Sequence, residues 1–541
     1  WLKPIRPKRA PKEPQGAPRR LPSARSVENI RLPSGALPHL LELVAAMDGF
    51  GQLDETVLSR MFSCMLQREA LRLATLSVEW PKLVAANLRR LLITPAMPLA
   101  ALHFAAEHFL RLREVVVDAK DAPAGEAFYT AAGTLVKLLH PFPLERIVLR
   151  TLGLHGASSP EGTAQSQLLA TAVQELPRGP SLQELVLEHV NLGDSAPPFA
   201  LQCLTGSLQA SGSSLAILTL HDCDLRVRGA IAVCSAISTS CLSGQLQRLD
   251  LSLNGLGQPG AMRVSQLLPK LSQLRALLLG GNSLGAAGAI ALAGGLAAVA
   301  STLIELNLSE NGMGGMGVEV LKPAELQLQV LSLKRNSIGP DDAAIVISFL
   351  RSMALTIVKV DLAENKMDAT GVRRLLEDVP PLPQLRYLNL AQSAFAVEAF
   401  RGARFARLSE VAPRIEELNL TSCRLGSDGP AFQTVMSALP QTLTVLHLGA
   451  SYLGHPQLEF VLYAMRSLQS LETLSLIQAR LDDAAADSIT ADVPHWTTPR
   501  LRVVDISGNP IGGDAACRLL AALQCRSSFR QLKGMRLRRS A

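Results

Sequence analysis

The sequence predicts an α/β solenoid in which a short strand, a turn and a helix recur, placing parallel strands on a concave face and helices on a convex one. The first observation behind this is self-similarity at a fixed period, which has to be sought before any single motif is weighed. The run Leu246-Gln-Arg-Leu249-Asp-Leu251-Ser-Leu-Asn254-Gly-Leu256 is followed by Leu274-Arg-Ala-Leu277-Leu-Leu279-Gly-Gly-Asn282-Ser-Leu284. Two more copies read Leu303-Ile-Glu-Leu306-Asn-Leu308-Ser-Glu-Asn311-Gly-Met313 and Leu328-Gln-Val-Leu331-Ser-Leu333-Lys-Arg-Asn336-Ser-Ile338. Copies start at residues 246, 274, 303, 328, 357, 385, 415, 443, 471 and 501, at intervals of 28, 29, 25, 29, 28, 30, 28, 28 and 30 residues. A period held that closely over ten copies is not accidental. The second observation is a change of register inside each copy, from the period of two of a strand to the spacing of a helix.

The strand comes first in each unit. Leu249 and Leu251 alternate with mostly polar neighbours, as a short half-buried strand requires. After the asparagine, Gly285-Ala-Ala-Gly288-Ala-Ile-Ala-Leu-Ala-Gly-Gly-Leu-Ala-Ala carries small and apolar residues at helical spacing. Gly339-Pro-Asp-Asp-Ala-Ala-Ile-Val-Ile-Ser-Phe-Leu opens with helix-start residues. No unit buries its leucines alone, so stability is expected from neighbour interfaces. A helix is wider than a strand, so stacked units must curve with the strands inside. The asparagine column is expected to hydrogen-bond backbone groups at the strand-to-turn bend, where buried polar groups need partners. Cys223 and Cys423 fill that column in two copies.

The pattern L-x-x-L-x-L-x-x-N-x-L, its period and the L-G-x-x-G-A opening of the helix at Leu284–Ala289 resemble the ribonuclease-inhibitor class of leucine-rich repeats. The resemblance implies a horseshoe of parallel strands and outer helices. The class includes enzyme inhibitors, small-GTPase activators, innate-immune sensors and actin-regulating scaffolds, so the fold alone does not choose among them.

In chain order, residues 1–36 are dominated by proline and charge and read as an extended basic tail. Residues 37–70 read as a helical cap, with Leu40, Leu41, Leu43 and Val44 followed by Leu58, Met61, Phe62 and Met65. Residues 71–245 hold irregular copies starting at Leu73, Leu88, Leu112, Leu144, Leu182 and Leu215. Insertions there, with Gly156–Gly162 the best candidate, are expected to form loops where partners dock. The regular copies fill 246–525, and 526–541 form a basic edge and tail ending in Leu532-x-x-Met535-x-Leu537.

Charge is informative once located. Of the formal net charge of +7, residues 1–32 carry +7 and residues 526–541 carry +6, which leaves −6 on the body. The solenoid is mildly acidic and its ends are basic. Apolar content of 48% with only 4% aromatic suits a Leu/Ala core and leaves few rings for stacking ligands. Eight cysteines without a C-x-x-C pair read as reduced thiols of an intracellular compartment. The chain begins at Trp1, which fits either removal of an organellar targeting segment or a simple truncation; on the first a mitochondrial location is expected, with a cytoplasmic or cytoskeletal one as the alternative. The longest apolar stretch, 286–300, is too short to span a bilayer.

Catalytic motifs do not survive scrutiny. A literal G-x-G-x-x-G at Gly312, Gly314 and Gly317 imitates a dinucleotide fingerprint, yet Gly314 and Gly317 fall in the columns of Gly285/Gly288 and Gly257/Gly260, so repeat geometry explains them. In His103-Phe-Ala-Ala-Glu107-His108 the histidines are five apart and leave a common helix face, unlike a zinc-protease pair. No enzyme, cofactor, metal, small-molecule substrate or membrane is expected.

Two candidate surfaces remain. The outward positions of the regular strands include Arg248, Asp250, Glu305, Asn307, Lys334, Lys359, Asp361, Tyr387, Asn389, Glu417, Asn419, His447 and Asp505. This mixed-charge set with one aromatic ring, Tyr387, suits a polar protein-docking face and lacks the positive, ring-lined track of a single-strand nucleic-acid groove. The basic ends suit phosphate backbones or acidic proteins through Lys3, Arg6, Lys8, Arg9, Lys12, Arg19, Arg20, Arg530, Lys533, Arg536, Arg538 and Arg539. The expectation is a non-catalytic scaffold, a structural subunit of a large assembly such as an organellar ribosome, touching other proteins and RNA. The alternatives are a soluble regulator of an enzyme or small GTPase and a cytoskeletal or axonemal scaffold.

Overall fold

The computed structural model describes residues 90–94, 112–119, 130, 132–133, 144–151, 168, 181–193, 198–210, 214–393, 408–423, 429–451 and 453–534. The chain divides into two compact units, residues 1–87 and 88–541. The expected tail (1–36), helical cap (37–70) and first irregular copy at Leu73 lie outside the described residues, as do Gly156–Gly162 and His103–His108.

Within the second unit, sixteen strands among the described residues form one parallel sheet in chain order. The first five are β1 (Arg90–Ile93), β2 (Glu114–Asp118), β3 (Arg146–Arg150), β4 (Glu184–Glu188) and β5 (Ile217–His221). Eleven three-residue strands follow: β6 (Arg248–Asp250), β7 (Ala276–Leu278), β8 (Glu305–Asn307), β9 (Val330–Ser332), β10 (Lys359–Asp361), β11 (Tyr387–Asn389), β12 (Glu417–Asn419), β13 (Val445–His447), β14 (Thr473–Ser475), β15 (Val503–Asp505) and β16 (Gln531–Lys533). Neighbours pair at equivalent positions of the repeat, as in Arg248↔Ala276↔Glu305↔Val330↔Lys359↔Tyr387↔Glu417. Among the described residues the chain returns between the later strands through helices, including α1 (Pro198–Ala210), α2 (Arg226–Thr239), α3 (Gly257–Leu267), α4 (Gly285–Ala298), α5 (Gly314–Glu319) and α6 (Ala343–Ser352). The solenoid is thus α/β, with parallel strands on the concave face and helices on the convex face.

The leucine columns make the core between the two layers. Leu246, Leu249 and Leu251 are fully buried, as are their counterparts Leu274, Leu277 and Leu279. Each such side chain contributes about 2 kcal/mol by leaving water, but only when the next repeat covers it.

Two features of the strand ends were not legible in the repeat pattern. First, the regular strands stop after three residues where the irregular ones run to five. In six of them the last strand residue is Asp or Asn whose side-chain oxygen accepts from the backbone N–H two residues on: Asp250 from Ser252, Asn307 from Ser309, Asp361 from Ala363, Asn389 from Ala391, Asn419 from Thr421 and Asp505 from Ser507. Such Asx turns offer the backbone of these six strands an alternative to the sheet ladder, although β7, β9, β13, β14 and β16 are as short without one. In β2–β5 the same position holds Val116, Val148 or Val186, which have no side-chain acceptor, or Thr219, whose hydroxyl forms such turns more weakly, and the ladder continues.

Second, the residue before the asparagine column has positive φ in every regular copy, from Leu253 (59°) and Gly281 (69°) through Glu310 (57°) to Gly508 (72°). Only two of these ten positions carry glycine. Left-handed backbone costs a residue with a Cβ about 1 kcal/mol or more, so the fold tolerates a strained site in most repeats. Leu253 is also 42% exposed. We expect Leu253→Asn, which tolerates this conformation, to stabilise the protein by about 0.5 kcal/mol and to raise its thermal midpoint in scanning calorimetry. A lowered midpoint would contradict this account of the turn.

The asparagine column does what its position implies. Asn254, Asn282, Asn311, Asn336 and Asn365 are buried, and each side chain joins its own bend to that of the preceding repeat. The glycines of the dinucleotide look-alike are repeat glycines. Gly312 and Gly314 take φ of 63°, while a Cβ on Gly317 would stand 2.5 Å from that of Met313. The corresponding Cβ on Gly288 would stand 2.7 Å from that of Leu284.

Candidate docking surface

The strand face changes character along the sheet. Over β1–β4 it is self-neutralised. Arg146 lies 2.6 Å from Glu114 and 2.7 Å from Glu184, Arg90 lies 3.4 Å from Glu114, and on the far edge Arg150 lies 2.6 Å from Glu188. Between these two charged rows Val116, Val148 and Val186 form a buried apolar cluster. Sequence reasoning overlooked this ladder. The alternation Arg90, Glu114, Arg146, Glu184 was visible once the irregular copies were aligned on their leucines, and opposite charges directly across neighbouring strands stabilise a sheet.

From β6 onward the pairing opens. Arg248 reaches over β7, where Ala276 leaves room, to bind Glu305 at 2.7 Å. Glu305 is therefore already matched. Lys334 is engaged 2.9 Å from Glu364, which raises its pKa. On β10–β12 the register places Lys359, Tyr387 and Glu417 side by side, with Asp361, Asn389 and Asn419 in the adjacent row and His447 next on β13. His447 lies 3.3 Å from Glu417. Of the predicted docking residues these seven form one contiguous cluster; Lys334 stands one strand away, and Glu305 and Asn307 two.

Electrostatics within the cluster follow from its partial burial. Burial, with the nearby Asp361 and Glu417 carboxylates, pushes the Tyr387 hydroxyl up to about 12. Burial also raises the Asp361 carboxyl above the usual range, against the opposing pull of the Ala363 N–H, Lys334 and the Asn389 amide. Tyr387 stays protonated at neutral pH and presents a donor amid acceptors, an arrangement suited to a polar partner surface.

The second row needs a correction. Asp250 and Asn389 are buried, each only 8% exposed, instead of lying on a solvated face. Together with Asn307, Asp361 and Asn419 they commit one oxygen to the Asx turn that ends their strand. What they offer a partner is the remaining polar atoms; the more outward groups of the cluster are the exposed Lys359 and the half-buried Tyr387 and Glu417.

Of the basic ends, Lys3, Arg6, Lys8, Arg9, Lys12, Arg19, Arg20, Arg536, Arg538 and Arg539 lie outside the described residues. Arg530 and Lys533 are exposed beside and within edge strand β16. Arg526 differs from both. Its guanidinium donates to the carbonyl oxygens of Val493, Trp496 and Thr498 at 3.2, 3.2 and 2.7 Å, which makes it part of the last repeat.

Cys223 and Cys423 occupy the asparagine column as buried thiols that donate to the Leu187 and Leu390 carbonyls of the preceding repeats at 3.4 and 3.2 Å, and burial pushes the Cys223 thiol up to about 12. The seven cysteines among the described residues are free. No group of three His, Cys, Asp or Glu side chains among the described residues is arranged to hold a metal ion, and no helix there is long and apolar enough to cross a membrane.

A family profile described as "Leucine Rich repeat" matches residues 246–265 and 299–322. The chain is 26% identical to the ribonuclease inhibitor of Sus scrofa over 64% of its length and 81% of that protein. It is 29% identical to the Mus musculus ribonuclease inhibitor over 54% of its length, spanning 64% of the relative. Among solved structures, Rad7 in complex with Elc1 from yeast aligns over 95% of this chain and 99% of that one, at 16% identity and a TM-score of 0.42. With strand and helix recurring throughout the regular copies, and an Asx or asparagine bend in all but those of β13 and β14, the chain is in architecture a leucine-rich-repeat protein of the ribonuclease-inhibitor-like class.

Proposed function

We propose that this protein is a non-catalytic scaffold, a structural subunit of a large assembly, that seats a partner protein on the strand face around Lys359, Tyr387 and Glu417 and touches RNA or acidic protein with its basic ends. The observation that carries this reading is the separation of charge, +7 on residues 1–32 and +6 on residues 526–541 against an acidic body. An acidic solenoid does not adhere to polyanions by its flank, so such contacts are confined to the ends, and each neutralised phosphate there makes binding more salt-dependent. An organellar ribosome, and with it a mitochondrial location, fits that division. Deleting residues 1–32 should abolish co-sedimentation with a large particle and flatten its salt dependence. If the full-length chain runs as a free monomer in native lysate, the reading fails.

A second reading, a soluble regulator wrapped around an enzyme or small GTPase, is favoured by the likeness to ribonuclease inhibitors across 81% of the pig protein. Titrating the chain against pancreatic-type ribonuclease, and against a panel of GTPases for accelerated nucleotide hydrolysis, separates it from the first. Activity unchanged in both series excludes it.

A further inference from the structure

Helix α4 has a composition that its place on the convex face does not explain. Its fourteen residues, GAAGAIALAGGLAA, include no charged or hydrogen-bonding side chain. The inward set, Gly288, Ala289, Leu292, Gly295 and Leu296, is buried in the repeat core. The outward set, Ala287, Ile290, Gly294, Ala297 and Ala298, is exposed. A surface helix ordinarily turns charged or polar residues outward, and a helix apolar all round is a buried one.

The exposure continues onto the neighbouring helices. Ile231, Met262 and Ile290 each stand two residues after the buried glycine of their helix, Gly229, Gly260 and Gly288, so they form one row across α2, α3 and α4. Ile231 is 39% exposed, Met262 46% and Ile290 55%, and Met316 on α5 reaches 65%. The same row ends in an acid, because the residue two after Gly317 is the exposed Glu319. Charges flanking the patch are unevenly distributed: α2 and α3 carry bases and no acid, whereas the α5–α6 side carries Glu319 and Asp341 together with Lys322 and Arg351. Exposed Arg228 and Arg263 lie on the α2–α3 side, and exposed Glu319 and Asp341 on the side of α5 and the approach to α6.

We propose that this face is a homodimer contact, occupied by a second copy of the chain related by a two-fold axis running along α4. That axis lays α4 on its own copy, where glycine and alanine permit close approach, and α3 on the partner's α5. Arg263 then faces the second copy's Glu319, and the Arg228 side faces the Asp341 side. The patch is self-complementary in charge, as an isologous interface demands. Its extent also suffices. Helices α2, α3 and α4, with the six-residue α5, run about 21, 16, 21 and 9 Å at about 10 Å spacing and present on the order of 700 Å² per partner, close to a standard specific interface.

Sedimentation velocity of the full chain over roughly 1–100 µM should show a monomer–dimer equilibrium. Ile290→Glu should weaken it about a hundredfold, with an unchanged circular-dichroism melt because the site is exposed. Arg263→Glu and Glu319→Arg should each weaken the dimer, and the two together should restore it. A chain that stays monomeric throughout, a dimer indifferent to Ile290→Glu, or a double variant that fails to recover would overturn the proposal. So would a monomer whose patch instead captures a different protein.

Discussion

Replacing Asn282 with alanine is expected to cost about 3 kcal/mol or more, because one side chain serves several buried backbone groups. Asn282 is fully buried. Its Oδ1 accepts from the N–H of Asn254 at 3.0 Å and of Leu256 at 3.4 Å, both in the preceding repeat. Its Nδ2 donates to the carbonyls of Leu251 and Leu279, each at 2.9 Å. Alanine leaves these groups dry and unpaired, and each costs about 1–3 kcal/mol. The damage should concentrate at one joint, since a solenoid is held together by neighbour interfaces. Hydrogen exchange should therefore accelerate first over residues 250–285, ahead of the distant repeats. Chemical denaturation showing a loss below about 1 kcal/mol would refute the role of the column. The protein itself supplies a comparison at Ala479, where the column has no amide. There the N–H of Leu453 bonds the Ala479 carbonyl directly at 3.2 Å, whereas the Asn282 carbonyl already accepts from Gly257 at 3.0 Å and the N–H of Leu256, the counterpart of Leu453, goes to the amide.

That contrast also shows what a sequence reveals in this fold. The leucines, the asparagine column and the glycines of Gly314–Gly317 repeat at fixed intervals and face groups supplied by the neighbouring copy, so periodicity alone located them. The positive φ before each asparagine was hidden, since Leu253, Glu310, Arg335 and Gln392 share no chemistry and the strain is imposed by the bend. The turn role of Asn307, Asp361 and Asn419 was hidden differently. Alternation correctly put these side chains on the strand face, but their first hydrogen bond goes to their own backbone two residues on. The β1–β4 ladder escaped because its intervals are irregular, although its charges alternate. The Lys359–Tyr387–Glu417 cluster was the most accessible part of the candidate surface, because in-register parallel pairing turns a position in the repeat into a position in space.

The C-terminal arginines divide by the same logic, and a pair of variants should separate their two roles. Arg526→Ala is expected to destabilise the last repeat by about 2–3 kcal/mol, because the Val493, Trp496 and Thr498 carbonyls lose the fork that ties them together. Arg526→Lys should recover little of this, since an ammonium cannot reproduce the planar fork, although the charge is kept. Replacing both Arg530 and Lys533 with alanine should leave stability within about 0.5 kcal/mol, as exposed substitutions generally do. That double variant should instead lower the salt dependence of polyanion binding, by about one unit of slope for each lost phosphate contact. Thermal melts and filter binding to single-stranded RNA over a salt series measure the two effects independently. If Arg526→Lys melts like wild type, the guanidinium is not the clasp of the last repeat. If the Arg530/Lys533 double variant binds RNA with an unchanged salt slope, the exposed part of the C-terminal edge takes no share in holding a polyanion, and that role falls to the rest of the basic ends.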